Sequence, residues 1–133
     1  MMISTKGRYA LRVMIDLAES GLEEYVPLKE IADREEISRK YLENIMTVLS
    51  KAGLVDAIHG YRLNRRPEEY TLAEILNLTE GTLAPVSCME NGQCSCDRTQ
   101  DCRTKPIWTE LDNLIQNYLE SVTLAAFLTP HLS

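Results

Sequence analysis

Between Ser4 and Lys51 the apolar side chains fall in three separate runs. Each run has the three- and four-residue steps of a helix that faces one core. The first is Ala10, Leu11, Met14, Leu17 and Ala18, entered through Ser4 or Thr5 as a cap and stopped at Gly21. Pro27 opens the second, which carries Leu28, Ile31 and Ala32 and breaks at Glu35-Glu36-Ile37. Ser38 caps the third, with Tyr41, Leu42, Ile45, Met46 and Leu49 on one side and Gly53 at its end. A short helix and a longer one across so tight a break can share a core only by crossing. Ala32 is the small residue at the crossing, Ile37 points inward, and Leu42 and Ile45 anchor the longer helix. That is the pattern of a helix-turn-helix, without the usual turn glycine, whose place Glu36 takes.

Beyond Gly53, Leu54 to Ile58 and Tyr61 to Asn64 are short and β-prone, with His59-Gly60 as a two-residue turn. A hairpin there is a wing beside the longer helix. Pro67 ends the second strand, and Thr71 caps a helix through Leu72, Ile75, Leu76 and Leu78 to Gly81. Residues 82–106 hold Pro85, Gly92, Pro106 and every cysteine, and read as loop. A long helix then runs from about Ile107 to Ser121. The predicted fold is mainly α with a small β-hairpin: a winged helix-turn-helix over 1–81, a cysteine loop over 82–106, and a dimerisation helix and tail over 107–133. At 133 residues this is one domain with a real core.

The formal charge of −6 argues against a polyanion partner until it is divided along the chain. Residues 1–66 carry 11 basic and 10 acidic side chains, a balance of +1, whereas 67–133 carry 3 and 10, a balance of −7. The N-terminal half is therefore the one to meet nucleic acid. On the longer helix, opposite its apolar stripe, lie Arg39, Lys40, Glu43, Asn44, Thr47 and Lys51. Lysine and arginine bind phosphate or guanine, asparagine can read adenine, and glutamate can accept from cytosine N4. The alternative is a plain solvated face. Arg62, Arg65 and Arg66 at the hairpin exit favour the DNA reading, with Arg62 and Arg65 placed for backbone phosphates.

Cys88, Cys94, Cys96 and Cys102 fall within 15 residues, spaced Cys-x5-Cys-x-Cys-x5-Cys, with none elsewhere. A polar loop that converges thiolates suits an iron–sulfur cluster; four-cysteine zinc sites favour closer pairs. A disulfide or thiol switch is the other use of such a group. No Ser/His/Asp set, paired carboxylates, Walker loop or dinucleotide-binding glycine pattern is present, so no catalysis is expected. Nothing approaches the ~18 apolar residues of a spanning helix. The N-terminus has no long apolar segment of an export signal, so a cytoplasmic protein with no membrane partner is expected.

The chain resembles the IscR/NsrR/CymR regulators, the Rrf-two family of winged-helix repressors. The matching segments are Ser4-Thr5-Lys6-Gly7-Arg8-Tyr9-Ala10-Leu11-Arg12, Leu28-Lys29-Glu30-Ile31-Ala32 and Ile37-Ser38-Arg39-Lys40-Tyr41-Leu42-Glu43. They continue through Leu49 to Val55, Gly60-Tyr61-Arg62-Leu63, Pro85-Val86 before Cys88, and Trp108 six residues after Cys102. The resemblance implies a homodimer on a palindromic operator in double-stranded DNA. It implies a dimer contact on the long helix, whose apolar residues here include Leu111, Leu114, Tyr118 and Val122. It also implies a 2Fe–2S or 4Fe–4S cluster, which three cysteines hold in many members, whereas members without them respond to other signals or partner proteins. This sequence departs from the pattern in a short wing and in one extra cysteine. Lys105 and Arg8 stand where other branches have a histidine or an acidic ligand. Four thiolates could replace that ligand, with Cys88 and Cys102 in the outer positions and Cys94 and Cys96 joint or exchangeable. Two rivals stand beside a cluster-controlled repressor: the same DNA-binding regulator with a disulfide switch, and a metal-thiolate or electron-transfer protein.

Overall fold

The computed structural model describes residues 3–81, 83–84 and 103–128. Helices α1 (Thr5–Ser20), α2 (Leu28–Glu35) and α3 (Arg39–Lys51) precede a hairpin of β1 (Val55–Ala57) and β2 (Tyr61–Leu63). A 3-10 turn, Pro67–Glu69, leads into α4 (Leu72–Glu80); α5 (Lys105–Ser121) and a second 3-10 turn, Leu124–Phe127, complete the described chain. This is a winged helix-turn-helix with a long C-terminal helix, as the sequence predicts. The caps are where polar side chains can serve orphan N–H groups. Ser4 accepts from the Gly7 amide at 3.0 Å, Ser38 from Tyr41 at 3.2 Å and Thr71 from Glu74 at 3.1 Å.

Val13, Met14, Leu17, Ile31, Leu42, Ile45, Met46 and Leu49 are buried together where α1, α2 and α3 meet. Full burial of such a side chain contributes roughly 1.5–3 kcal/mol. Tyr41 departs from the predicted stripe and is 37% exposed. The buried set 42, 45, 46 and 49 has the i, i+3, i+4, i+7 spacing, and position 41 lies at its edge.

The helix-turn-helix angle has two local causes. Glu36 adopts φ 55°, ψ 46°, a left-handed conformation that a glycine would enter without strain, and the Ile37 amide then reaches the Ala32 carbonyl at 3.1 Å. Beneath the turn, Arg34 grips Asp16 with two hydrogen bonds of 2.6 and 3.0 Å. Asp16 is the one buried charged residue among the described residues. A buried carboxylate needs such a partner, and the pair ties α2 to α1.

The wing is short and tied to the body. β1 and β2 pair antiparallel in the register Val55 with Leu63 and Ala57 with Tyr61. Tyr61 also exchanges both backbone hydrogen bonds with Val26, at 2.8 and 2.9 Å. Gly60 allows that approach, since a Cβ there would sit 2.9 Å from the Val26 carbonyl oxygen.

The helix α5 begins at Lys105, two residues before the expected start, with Pro106 in its first turn, where a missing N–H costs nothing. Its end is fastened to the body: the Leu72 amide donates to the Val122 carbonyl at 3.0 Å, the Leu124 amide to the Tyr70 carbonyl at 3.1 Å, and Leu124 is fully buried.

Candidate nucleic-acid interface

The recognition-helix residues Arg39, Lys40, Glu43, Asn44, Thr47 and Lys51 are all exposed. From Lys40 onward they form one stripe at 40, 43, 44, 47 and 51, opposite the buried face of α3. The Thr47 hydroxyl donates back to the Glu43 carbonyl at 2.8 Å, which fixes its rotamer and leaves its oxygen as an acceptor.

Charge pairing sorts the cations into two groups. Among the described residues Arg12, Arg34, Arg62, Arg65 and Arg66 each have a carboxylate within 4 Å. Lys6, Arg8, Lys29, Arg39, Lys40, Lys51, Arg103 and Lys105 are not among the paired cations of the described residues. Three of these eight lie on α3, so the recognition helix presents positive charge that no acid of the described chain neutralises. Such charge attracts a polyanion and gains by releasing its counterions.

The wing arginines are differently placed. Arg62 lies 4.4 Å above the Tyr25 ring, donates to the Glu23 carbonyl at 3.3 Å and pairs with Asp56 at 3.6 Å. Arg65 meets both oxygens of Glu74, at 3.1 and 3.2 Å, and lies 4.3 Å above the Tyr70 ring. Both are half-buried, and a phosphate contact from either would compete with these partners.

Away from the polar stripe, on α5, Leu114 and Tyr118 are 60% and 65% exposed, and Ile107 and Leu111 continue the same apolar surface. An apolar groove of about 350 Å³, lined by Ile3, Leu76, Leu114, Ile115, Tyr118 and Leu119, runs beside them. Val122 lies where α5 is fastened to α4 and is half-buried. Exposed apolar surface of this extent on one helix is characteristic of an interface. Cys88, Cys94, Cys96 and Cys102 lie outside the described residues. Lys105, half-buried in the first turn of α5, and Arg8 on α1 are cationic and unsuited to binding iron.

A family model described as an iron-dependent transcriptional regulator, Rrf2, matches residues 3–130. The chain belongs to the Rrf2 family. The Rrf2 protein of Nitratidesulfovibrio vulgaris is 37% identical over 129 residues, which cover 94% of this chain and 85% of that one. CymR of B. subtilis, a global cysteine regulator, superposes with a TM-score of 0.77 at 34% identity, covering 94% of both chains. The IscR of T. potens superposes with a TM-score of 0.76 at 35% identity, covering 96% of this chain and 86% of that one. This Rrf2-family chain is therefore a transcriptional regulator of the IscR/CymR kind and not an enzyme. No helix among the described residues is long and apolar enough to cross a membrane.

Two features of this Rrf2-family chain escape a reading by periodicity. One is the Asp16–Arg34 pair. Its signal was present, since Asp16, three residues after Val13 and one before Leu17, puts a carboxylate on the core stripe of α1. The other is an aromatic contact: Tyr41 meets Tyr9 edge to face at 5.7 Å, and no local pattern announces it.

Proposed function

We propose that the protein is a cytoplasmic homodimeric repressor that binds a palindromic operator through α3 and adjusts its affinity through a cysteine-bound iron–sulfur cluster. The observation that carries the DNA half is the exposed polar stripe of α3, with Arg39, Lys40 and Lys51 of that helix unpaired among the described residues. Asn44 and Glu43 are the base-reading groups of that stripe, and Thr47 supports them. Arg62 and Arg65 reach phosphates only by exchanging their present carboxylate partners. Residues 1–81 form the DNA-binding part. The α5 surface of Leu111, Leu114 and Tyr118, edged by Val122, suits a two-fold contact that spaces two recognition helices for successive major grooves.

Cys88, Cys94, Cys96 and Cys102 supply four thiolates, a complete donor set for a 2Fe–2S or 4Fe–4S cluster, with Arg98, Arg103 and Lys105 near in sequence to offset their charge. A bound cluster would supply a centre responsive to redox state and iron supply. If it favours one arrangement of the two winged domains, it shifts the population able to span both half-sites. The likeness to CymR, a cysteine regulator by its description, favours a second reading in which the same thiols act without a cluster. Protein purified without oxygen decides between them. Visible absorption with bound iron and sulfide, lost in Cys88→Ser and Cys102→Ser, supports the cluster; colourless, iron-free wild type refutes it. For the DNA half, Asn44→Ala should weaken a specific site by roughly 1–3 kcal/mol and relax its sequence preference. Unchanged binding after joint replacement of the α3 stripe refutes it.

A further inference from the structure

We propose that Tyr9 and Tyr41 form a phosphate-binding clamp on the DNA backbone, beside the groove that α3 enters. The inference rests on the reading of α3 as the recognition helix. Tyr41 occupies the first turn of α3, and its amide is held by Ser38 at 3.2 Å. Its ring meets that of Tyr9 on α1 with centroids 5.7 Å apart and planes at 79°. The Arg12 guanidinium lies 5.2 Å from the centre of the Tyr9 ring and is itself tied to Glu35 at 3.2 Å. Both rings are thus immobilised by their neighbours, while Tyr41 stays exposed and Tyr9 half-exposed. Neither phenol hydroxyl has a hydrogen-bond partner among the described residues. The contrast with Tyr70 is direct, since that hydroxyl donates to the Leu54 carbonyl at 2.7 Å.

The ligand follows from position and charge. When a recognition helix lies in the major groove, its first turn and the neighbouring helix abut the sugar–phosphate backbone. Among the described residues, Arg8, one turn before Arg12 on α1, donates only to the Thr5 hydroxyl, at 3.2 Å, and Arg39 and Lys40, just before Tyr41, have no carboxylate partner. Two pre-positioned neutral donors among unpaired cations suit a phosphodiester oxygen. A phenol donor carries no charge, so its contact adds affinity without sequence information and without releasing a counterion.

The test uses the full chain, purified without oxygen, with Tyr9→Phe, Tyr41→Phe and the double variant. Phenylalanine keeps the ring contact and the fold. Affinity is measured for a duplex that the wild type selects from a random pool, and for a scrambled duplex, over a range of salt concentrations. Each lost hydrogen bond should weaken both duplexes by a similar factor, roughly two- to tenfold. The ratio between the duplexes and the slope of log K against log salt should not change. Arg8→Ala, by contrast, should lower that slope by about 1. Wild-type affinity in the double variant overturns the clamp, as does a loss confined to the selected duplex, which would mean base contact. If the wild type binds no duplex, or if Asn44→Ala and Lys40→Ala change nothing, the recognition-helix reading fails and the clamp fails with it.

Discussion

Replacing Tyr70 by phenylalanine removes one oxygen atom that joins several parts of the fold. Tyr70 is fully buried between the wing and α4. Its hydroxyl donates to the Leu54 carbonyl at 2.7 Å and accepts from the Asn64 and Arg65 amides at 3.1 and 3.2 Å. Its own carbonyl accepts from Leu124, so one residue joins the base of the wing to the end of α5. The three partners differ in how they respond to its loss. Leu54 is 3% exposed, and a buried carbonyl left unpaired costs roughly 1–3 kcal/mol. Asn64 is exposed and Arg65 half-buried, so their amides recover water and lose only a fraction of a net hydrogen bond. We expect Tyr70→Phe to destabilise by about 2 kcal/mol, with a fall of roughly 6–10 °C in midpoint temperature. Urea unfolding at fixed protein concentration measures it, because association of copies would shift the midpoint. Faster hydrogen exchange at the Asn64 and Arg65 amides should accompany the loss. A change below about 0.5 kcal/mol with an unaltered urea slope would refute the reasoning, since water would then serve these partners as well as the hydroxyl does.

Other perturbations test other parts of the fold. Glu36→Gly should stabilise by about 0.5–1 kcal/mol in the same urea assay, because relief of a left-handed conformation outweighs the added freedom of the unfolded glycine. Leu114→Asp, on an exposed site, should leave the fold intact and yield monomers by sedimentation at micromolar concentration; a wild type that is itself monomeric there contradicts the two-fold contact. Burial, together with a hydrogen bond to Asp16, holds the Glu35 carboxyl above its ordinary value of 4.5. The folded chain therefore takes up this proton at a higher pH than the unfolded chain. The resulting stability is fully present below 4.5 and is lost as pH rises through the raised value. Urea midpoints across that window should show this contribution in the wild type and not in Glu35→Gln.

How much of this was legible in advance depends on how far apart the partners lie. Ser4, Ser38 and Thr71 cap their helices because a side-chain oxygen reaches an amide three residues on. The buried faces of α1 and α3 follow from spacing along a single helix. These relations span a few residues, so the sequence by itself determined the three N-terminal helices, the hairpin, the polar stripe of α3 and the apolar side of α5. Glu36 marks the limit of that reading. Its place in the motif is a glycine's, but glutamate itself does not announce a left-handed backbone, which the crossing of α2 and α3, braced by Arg34 on Asp16, imposes. The wing arginines show the same limit in charge. In the sequence Arg62 and Arg65 are a basic exit from a hairpin, but Glu74 lies nine residues from Arg65, and the Glu23 carbonyl lies 39 residues from Arg62. Tyr9 and Tyr41 are 32 positions apart and meet only because α1 and α3 pack on one core. Helix periodicity and capping are local energies that a short stretch of chain decides. Which cations are neutralised, which hydroxyls stay free and which backbone is forced past zero φ depend on neighbours that only the folded chain brings together.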